Sequence, residues 1–168
     1  MNRDMFKVIF VAYLALALIS GCSSPNPSNV PNSGVDVSYQ KKETLPKVEK
    51  PYPPDEAIRN GDIVNLHGQY SNLHLWQGFL KNMENKQTDQ IRITQYSIEG
   101  APIFYELLYS GTDIAFTYDN SMDGFAGNGK GRQSTVCSGI KKKKFESSGE
   151  MFILTGCASQ DIGDFFHF

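Results

Sequence analysis

The spacing of apolar positions changes once along the chain. Within 72–86 (NLHLWQGFLKNMENK), Leu73, Trp76, Leu80 and Met83 recur at three- and four-residue steps, with Phe79 beside them. That is the period of one helical face, so an amphipathic helix is expected, capped at its amino end by Asn72. Gly78 weakens this helix by about 1 kcal/mol relative to alanine, or lets it pack closely. From residue 90 the period becomes two. Strands are expected at 90–98, 103–109 and 114–118, rich in β-branched and aromatic residues and separated by turn residues at 99–102 and 110–112. The stretches 134–145 and 150–156 read as a hairpin about Ser147-Ser148-Gly149. Ahead of the helix, 55–61 reads as a helical turn or two and 62–67 as a short strand. The expected fold class is α+β: an antiparallel sheet of about five strands with one main amphipathic helix packed on one face.

The amino-terminal pattern is different. Residues 8–19 are uncharged and mostly apolar, behind Arg3 and Lys7. The run is shorter than the ~20 residues a membrane-spanning helix needs, but it suits the core of a secretory signal. It ends in Ile19-Ser20-Gly21-Cys22. This tetrapeptide resembles the lipobox of bacterial lipoproteins, in which the thiol receives a diacylglyceryl group and becomes the first residue of the mature chain. Cys22 is therefore the expected lipid-attachment residue, and the alternatives are an uncleaved signal anchor or a secretory signal cut at another point. Two acyl chains anchor stably where one is marginal, since each buried CH₂ contributes about 0.8 kcal/mol. Every proline except Pro102 lies in 23–54, among Ser, Asn and Lys, so 22–54 reads as a tether that buries too little to fold. The expected organisation is 1–21 signal peptide, 22–54 tether and 55–168 one domain. The expected location is the outer face of the cytoplasmic membrane.

Charge narrows the partners. The 168 residues carry 16 Lys and Arg against 18 Asp and Glu, a net charge of −2. No nucleic acid is expected as a partner. Lys141, Lys142, Lys143 and Lys144 invite an anionic partner such as lipid headgroups or wall polymers. They better suit a solvated sheet edge or hairpin tip that discourages aggregation, because a short charge run is usually a solvated face.

Candidate chemistry is sparse. Cys137 and Cys157 stand symmetrically about Ser147, so the hairpin sets them nearly opposite each other and a structural disulfide is expected. A redox pair or thiolate metal site would want a CxxC spacing or nearby histidines. His67, His74 and His167 show no metal-ligand spacing. Residues 127–131 (GNGKG) lack the pattern of a phosphate loop. Asp119, Ser121, Asp123 and Gly124 match positions one, three, five and six of a calcium loop, which makes Asp119, Ser121 and Asp123 weak metal candidates. Position twelve, where two carboxylate oxygens belong, is Lys130. Glu99, Glu106, Asp119 and Asp123 are the carboxylates placed for acid–base chemistry. No cofactor is expected.

Residues 55–61 (DEAIRNG), 96–105 (YSIEGAPIFY) and 117–123 (TYDNSMD), with Cys137 and the ending Leu154-Thr155-Gly156-Cys157, resemble an uncharacterised lipoprotein family of Bacillus-type Gram-positive bacteria, catalogued as a domain of unknown function. The resemblance implies a secreted, lipid-anchored domain with a paired-cysteine hairpin and transfers no catalytic residue. The expected function is thus a membrane-anchored lipoprotein serving as a non-catalytic binding module for a protein or cell-wall component. A cation-dependent module built on 119–123 and a carboxylate hydrolase are the alternatives.

Overall fold

A computed structural model describes residues 44–168. The expected signal peptide, the lipobox with Cys22 and most of the tether lie outside the described residues. The architecture is mixed α/β and dominated by strands. A six-stranded sheet runs in the order β2-β1-β3-β4-β5-β6, and β7 and β8 form a separate two-stranded sheet.

The chain enters along 44–53, the end of the expected tether, which is packed onto the domain: Tyr52 is buried. Helix α1 (Pro54–Arg59) begins on a proline, whose missing N–H costs nothing in a first turn. Strand β1 (Ile63–Leu66) follows, and β2 (Gln69–Ser71) folds back on it antiparallel. Helix α2 (His74–Glu84) then carries the chain across to β3 (Asp89–Tyr96), which lies parallel to β1. The sheet is therefore not wholly antiparallel. A strand–helix–strand crossover supplies one parallel pair, and β2 was missed because a three-residue strand is too short to show a period. Strands β4 (Pro102–Tyr109), β5 (Ile114–Asp119) and β6 (Arg132–Cys137) continue as an antiparallel meander.

The apolar stripe of α2 is narrower than its spacing predicts. Trp76 and Phe79 are buried, whereas Leu73 precedes the helix and is 45 % exposed. Asn72 does not cap α2. Its φ is +57°, and its amide donates to the carbonyls of Ile58 (3.0 Å) and Asp62 (2.9 Å), tying the β2–α2 corner to the α1–β1 turn.

The two faces of the sheet differ. Trp76 and Phe79 pack with Ile63, Ile91, Ile93, Leu107, Ile114 and Phe116 on one face. On the other, Tyr52, Ala57, Val64, Tyr96 and Phe104 form a smaller cluster under the entering segment and α1. That cluster covers only part of its face. Leu108 and Val136 beyond it are 44 % and 50 % exposed.

The expected single strand 134–145 is two strands. β6 ends at Cys137, and β7 (Gly139–Phe145) pairs with β8 (Gly149–Thr155). Cys137 and Ile140 both turn inward although they are three residues apart. An unbroken strand alternates by two, so the chain must break at Ser138. Every β7–β8 pair, from Gly139–Thr155 to Phe145–Gly149, is symmetric about Ser147, the predicted centre. Cys137 and Cys157 extend that line and form a disulfide. Beyond it, Ala158 N–H donates to the Val136 carbonyl (2.9 Å) and Ser159 N–H to Thr135 Oγ1 (2.9 Å), covering part of the outer edge of β6. Gly156 has φ +61°, and a Cβ there would strike the Ser138 side chain. After the short helix α3 (Gln160–Gly163) the aromatic tail returns to β8. Phe152 and Phe168 exchange backbone hydrogen bonds, and Phe166 and Phe168 pack on Trp76.

Candidate functional site

The partly open face of the sheet carries three rows of side chains. Register sets Thr94, Phe104, Asp119 and Arg132 in one row, Arg92, Glu106, Thr117 and Ser134 in the next, and Gln90, Leu108, Ala115 and Val136 in the third. The rows grade from charged to apolar. Above them lie Leu45, Pro46, Lys47 and Val48, and the space between is a groove of about 500 Å³.

Five charged groups run through this face. Asp62 at the head of β1 and Arg92 on β3 are both buried, and Arg92 Nε lies 3.0 Å from each Asp62 carboxylate oxygen. Arg92 Nη1 donates to the Pro46 carbonyl (2.9 Å) and reaches Glu106 Oε1 at 3.5 Å. Nη2 donates to Tyr52 Oη (3.1 Å). Tyr52 Oη in turn donates to Asp62 Oδ2 (2.9 Å), as does Thr94 Oγ1 (2.7 Å). The guanidinium also sits over the rings of Tyr52 and Phe104, at 5.6 and 5.9 Å. Burial alone would lower the Arg92 pKa, but the bonds and charge of Asp62 outweigh it and the net direction is up. Burial, the larger cause, raises the Tyr52 phenol, so it stays a neutral donor to Asp62.

The network then reaches the groove. Arg132 Nη2 donates to Glu106 Oε2 (2.5 Å) and Nη1 to Asp119 Oδ2 (3.2 Å), while the Arg132 side chain stays 54 % exposed. Burial pushes the Asp119 carboxyl up, but hydrogen bonds from Ser121 and Arg132 outweigh it and hold the group below its ordinary value of 3.8. Glu106 and Asp119 therefore converge, as an acid–base pair would need, but on a shared guanidinium. Beside them Thr117 Oγ1 and Ser134 Oγ are 2.8 Å apart.

The calcium-like loop is spent on its own backbone. Asp119 Oδ1 accepts from Ser121 N–H (2.9 Å) and Asp123 Oδ1 from Phe125 N–H (2.8 Å), the local turn role of aspartate. Buried Asn120 joins the loop ends: its Oδ1 accepts from Gly131 N–H (2.7 Å) and its Nδ2 donates to the Gly129 carbonyl (3.3 Å). No group of three or more His, Cys, Asp or Glu among the described residues is placed to hold a metal ion. Ser121 is turned to Asp119, to which its backbone N–H donates.

Glu99 sits in an exposed turn and lines a separate depression with Pro53, Met122 and Phe125. His67 Nε2 lies 3.0 Å from the Ser97 carbonyl, and His167 packs edge-on against Phe145. Lys141, Lys142, Lys143 and Lys144 are all exposed on β7.

Sequence reasoning missed Asp62, Arg92 and Arg132. The signal for Arg92 was present: QIRITQY places an arginine among residues that the neighbouring isoleucines mark as a central strand. Such a strand is buried on both faces, and a buried guanidinium requires an acid.

Residues 60–151 match the family model described as a domain of unknown function, DUF4362. The chain belongs to the DUF4362 family. The DUF4362 match runs from the end of α1 into β8 and takes in Asp62, Arg92, Glu106, Asp119, Arg132, Cys137 and the four lysines. It stops before Cys157 and begins after Pro46 and Tyr52. No curated protein and no solved structure matches this DUF4362 chain.

Proposed function

We propose that this chain is an extracytoplasmic lipoprotein of Bacillus-type bacteria, held to the membrane through Cys22, whose DUF4362 domain is a non-catalytic binding module. The lipobox-like Ile19-Ser20-Gly21-Cys22 behind an uncharged apolar run supports the anchor. One observation carries the binding role: the graded face under 45–48, where a groove of about 500 Å³ joins the Arg132–Asp119–Glu106 cluster to Leu108, Ala115 and Phe104. Such a face suits an extended ligand with a polar end and an apolar arm, as a peptide or a wall fragment has. The guanidinium shared by Glu106 and Asp119 argues against a hydrolase, because it keeps Asp119 ionised and occupied.

Two measurements test the reading. Cells fed a labelled lipid precursor should label the wild-type chain and not Cys22→Ala; label on the variant removes the anchor. For the groove, a peptide and wall-fragment library is screened by chemical-shift mapping on the full chain in detergent. Ligands should perturb Ala115, Thr117 and Asp119, and Leu108→Trp should block them while leaving the fold intact. Hits that map elsewhere and survive Leu108→Trp would refute the groove.

A further inference from the structure

The outer edge of β7 combines two things that the groove does not use. First, it is unpaired. β8 lies on one side of β7, the carboxy-terminal residues pair with the far side of β8, and among the described residues nothing pairs with the outer edge of β7. An unpaired edge offers a row of N–H and C=O groups to another extended chain. Second, it is uncompensated. Arg59, Arg92 and Arg132 each lie in ion pairs, whereas Lys141, Lys142, Lys143 and Lys144 lie in none among the described residues. Their cross-strand neighbours on β8 are Ile153, Phe152, Met151 and Glu150, so one acid faces four ammonium groups.

The direction of approach follows from the pleat. Successive strand residues point to opposite faces, so Lys141 and Lys143 lie on one face of the hairpin and Lys142 and Lys144 on the other. Rings steady one ammonium on each face: Lys143 Nζ is 5.0 Å from the Phe145 ring centre and Lys142 Nζ is 5.3 Å from that of Phe152. A flat anionic membrane can meet one face and two lysines. A strand laid along the edge meets all four, and its own alternating side chains fall beside lysines on both faces. Consecutive acidic residues would each find a lysine, while the backbones pair.

We infer that the outer edge of β7 is a docking edge for an extended acidic segment of a partner protein, which adds as a third strand beside β7–β8. This site is separate from the groove and stands whether or not the groove binds.

The test uses the full chain in detergent with four probes: hexaglutamate, a Glu-Pro alternating peptide of equal charge, phosphatidylglycerol vesicles and inorganic polyphosphate. Hexaglutamate should bind and slow hydrogen exchange at the backbone amides of 139–145. The Glu-Pro peptide, whose proline φ is fixed at about −65°, away from a regular strand, and whose glutamates all fall on one face, should bind about tenfold more weakly. Lys141→Gln/Lys143→Gln and Lys142→Gln/Lys144→Gln should each weaken hexaglutamate, which shows that both faces are read. These residues are exposed, and near-ultraviolet circular dichroism checks that the variants stay folded. Equal binding of the Glu-Pro peptide overturns strand addition, as does binding without protection of 139–145. Tighter binding of vesicles or polyphosphate than of hexaglutamate replaces the protein partner with a lipid or polymer. No binding by any probe leaves the lysines as an anti-aggregation device alone and overturns the inference.

Discussion

Positive charge is handled in two opposite ways in this molecule. On the partly open face of the six-stranded sheet, Arg92 and Arg132 are threaded between Asp62, Glu106 and Asp119, with each guanidinium touching two carboxylates. On β7, four lysines stand in sequence without an ion pair among the described residues. The residue types fit the two tasks. Guanidinium is planar, presents five donors and is weakly hydrated, so it tolerates burial between acids; ammonium is strongly hydrated and stays in water. Compensated charge inside the fold positions its elements, while uncompensated charge outside it is available to something else. Arg92 makes the first half concrete by reaching from β3 to β1, to β4 and to the Pro46 carbonyl of the entering segment.

Arg92→Met is expected to have the largest effect. It strands Asp62, whose side chain is 1 % exposed, as a buried carboxylate without its cation. A loss of about 3–5 kcal/mol is expected in urea denaturation. Removing both partners with Arg92→Met/Asp62→Leu should recover a large part of it, since the penalty lies in the orphaned charge. A double variant as unstable as the single one would show that Arg92 acts mainly through Tyr52 and Pro46.

Next in size is the disulfide. Cys137→Ser/Cys157→Ser should cost about 3 kcal/mol, from the twenty-residue loop that the bond closes. The cost should fall unevenly. Hydrogen exchange should rise across β7, β8 and the tail while β3 and β4 stay protected, because the bond ties the hairpin to β6. A uniform rise would mean that the lysine-bearing hairpin is not a separable unit.

These two predictions also mark what the sequence reveals and what it withholds. Local alternation was enough for β3, β4 and β5, and the symmetry of two cysteines about Ser147 was enough for hairpin register and disulfide. Partnership was hidden. That β1 lies parallel to β3 depends on α2 carrying the chain across, which no window of residues contains. Asp62 and Arg92 are thirty positions apart and meet through that parallel neighbour. Spacing pointed instead to Asp119, Ser121 and Asp123, because motif spacing is visible along the chain. The oxygens of Asp119 and Asp123 turned out to hold the loop to itself and to Arg132. Asn120, which joins the loop ends, belongs to no motif.

Arg132 lies between the two extremes, half in water and doubly paired. Arg132→Gln should cost about 1 kcal/mol at neutral pH, as part-exposed pairs do. The sign of its pH dependence follows from Asp119. A carboxylate whose folded pKa is depressed adds stability that is fully present above its unfolded value and is lost as pH falls through the folded one. For Asp119 that window lies below its ordinary value of 3.8. Without Arg132 the share that its hydrogen bond and charge supply is gone at every pH, while the Ser121 hydrogen bonds keep the rest, so the stability gap between wild type and variant should shrink as pH is taken from 7 to 3. A gap constant with pH would assign the cost to lost packing of the arginine stem.

The smallest effect is the one that sharpens the contrast most. Lys141→Gln/Lys143→Gln should change stability by less than about 0.5 kcal/mol, as expected of surface positions without partners. Its direction is informative. Lysines two apart on a strand are about 7 Å apart, inside the ~10 Å screening length at 0.1 M salt, so the four repel one another. Removing two should slightly stabilise the protein at low salt, and the gain should vanish at 1 M, where screening falls to about 3 Å. Arg132→Gln at low salt should go the other way, since it breaks attractions. If the lysine variant instead lost more than about 1 kcal/mol at all salt concentrations, the ring contact of Lys143 with Phe145 would be structural, and β7 would belong with the arginine network as part of the frame.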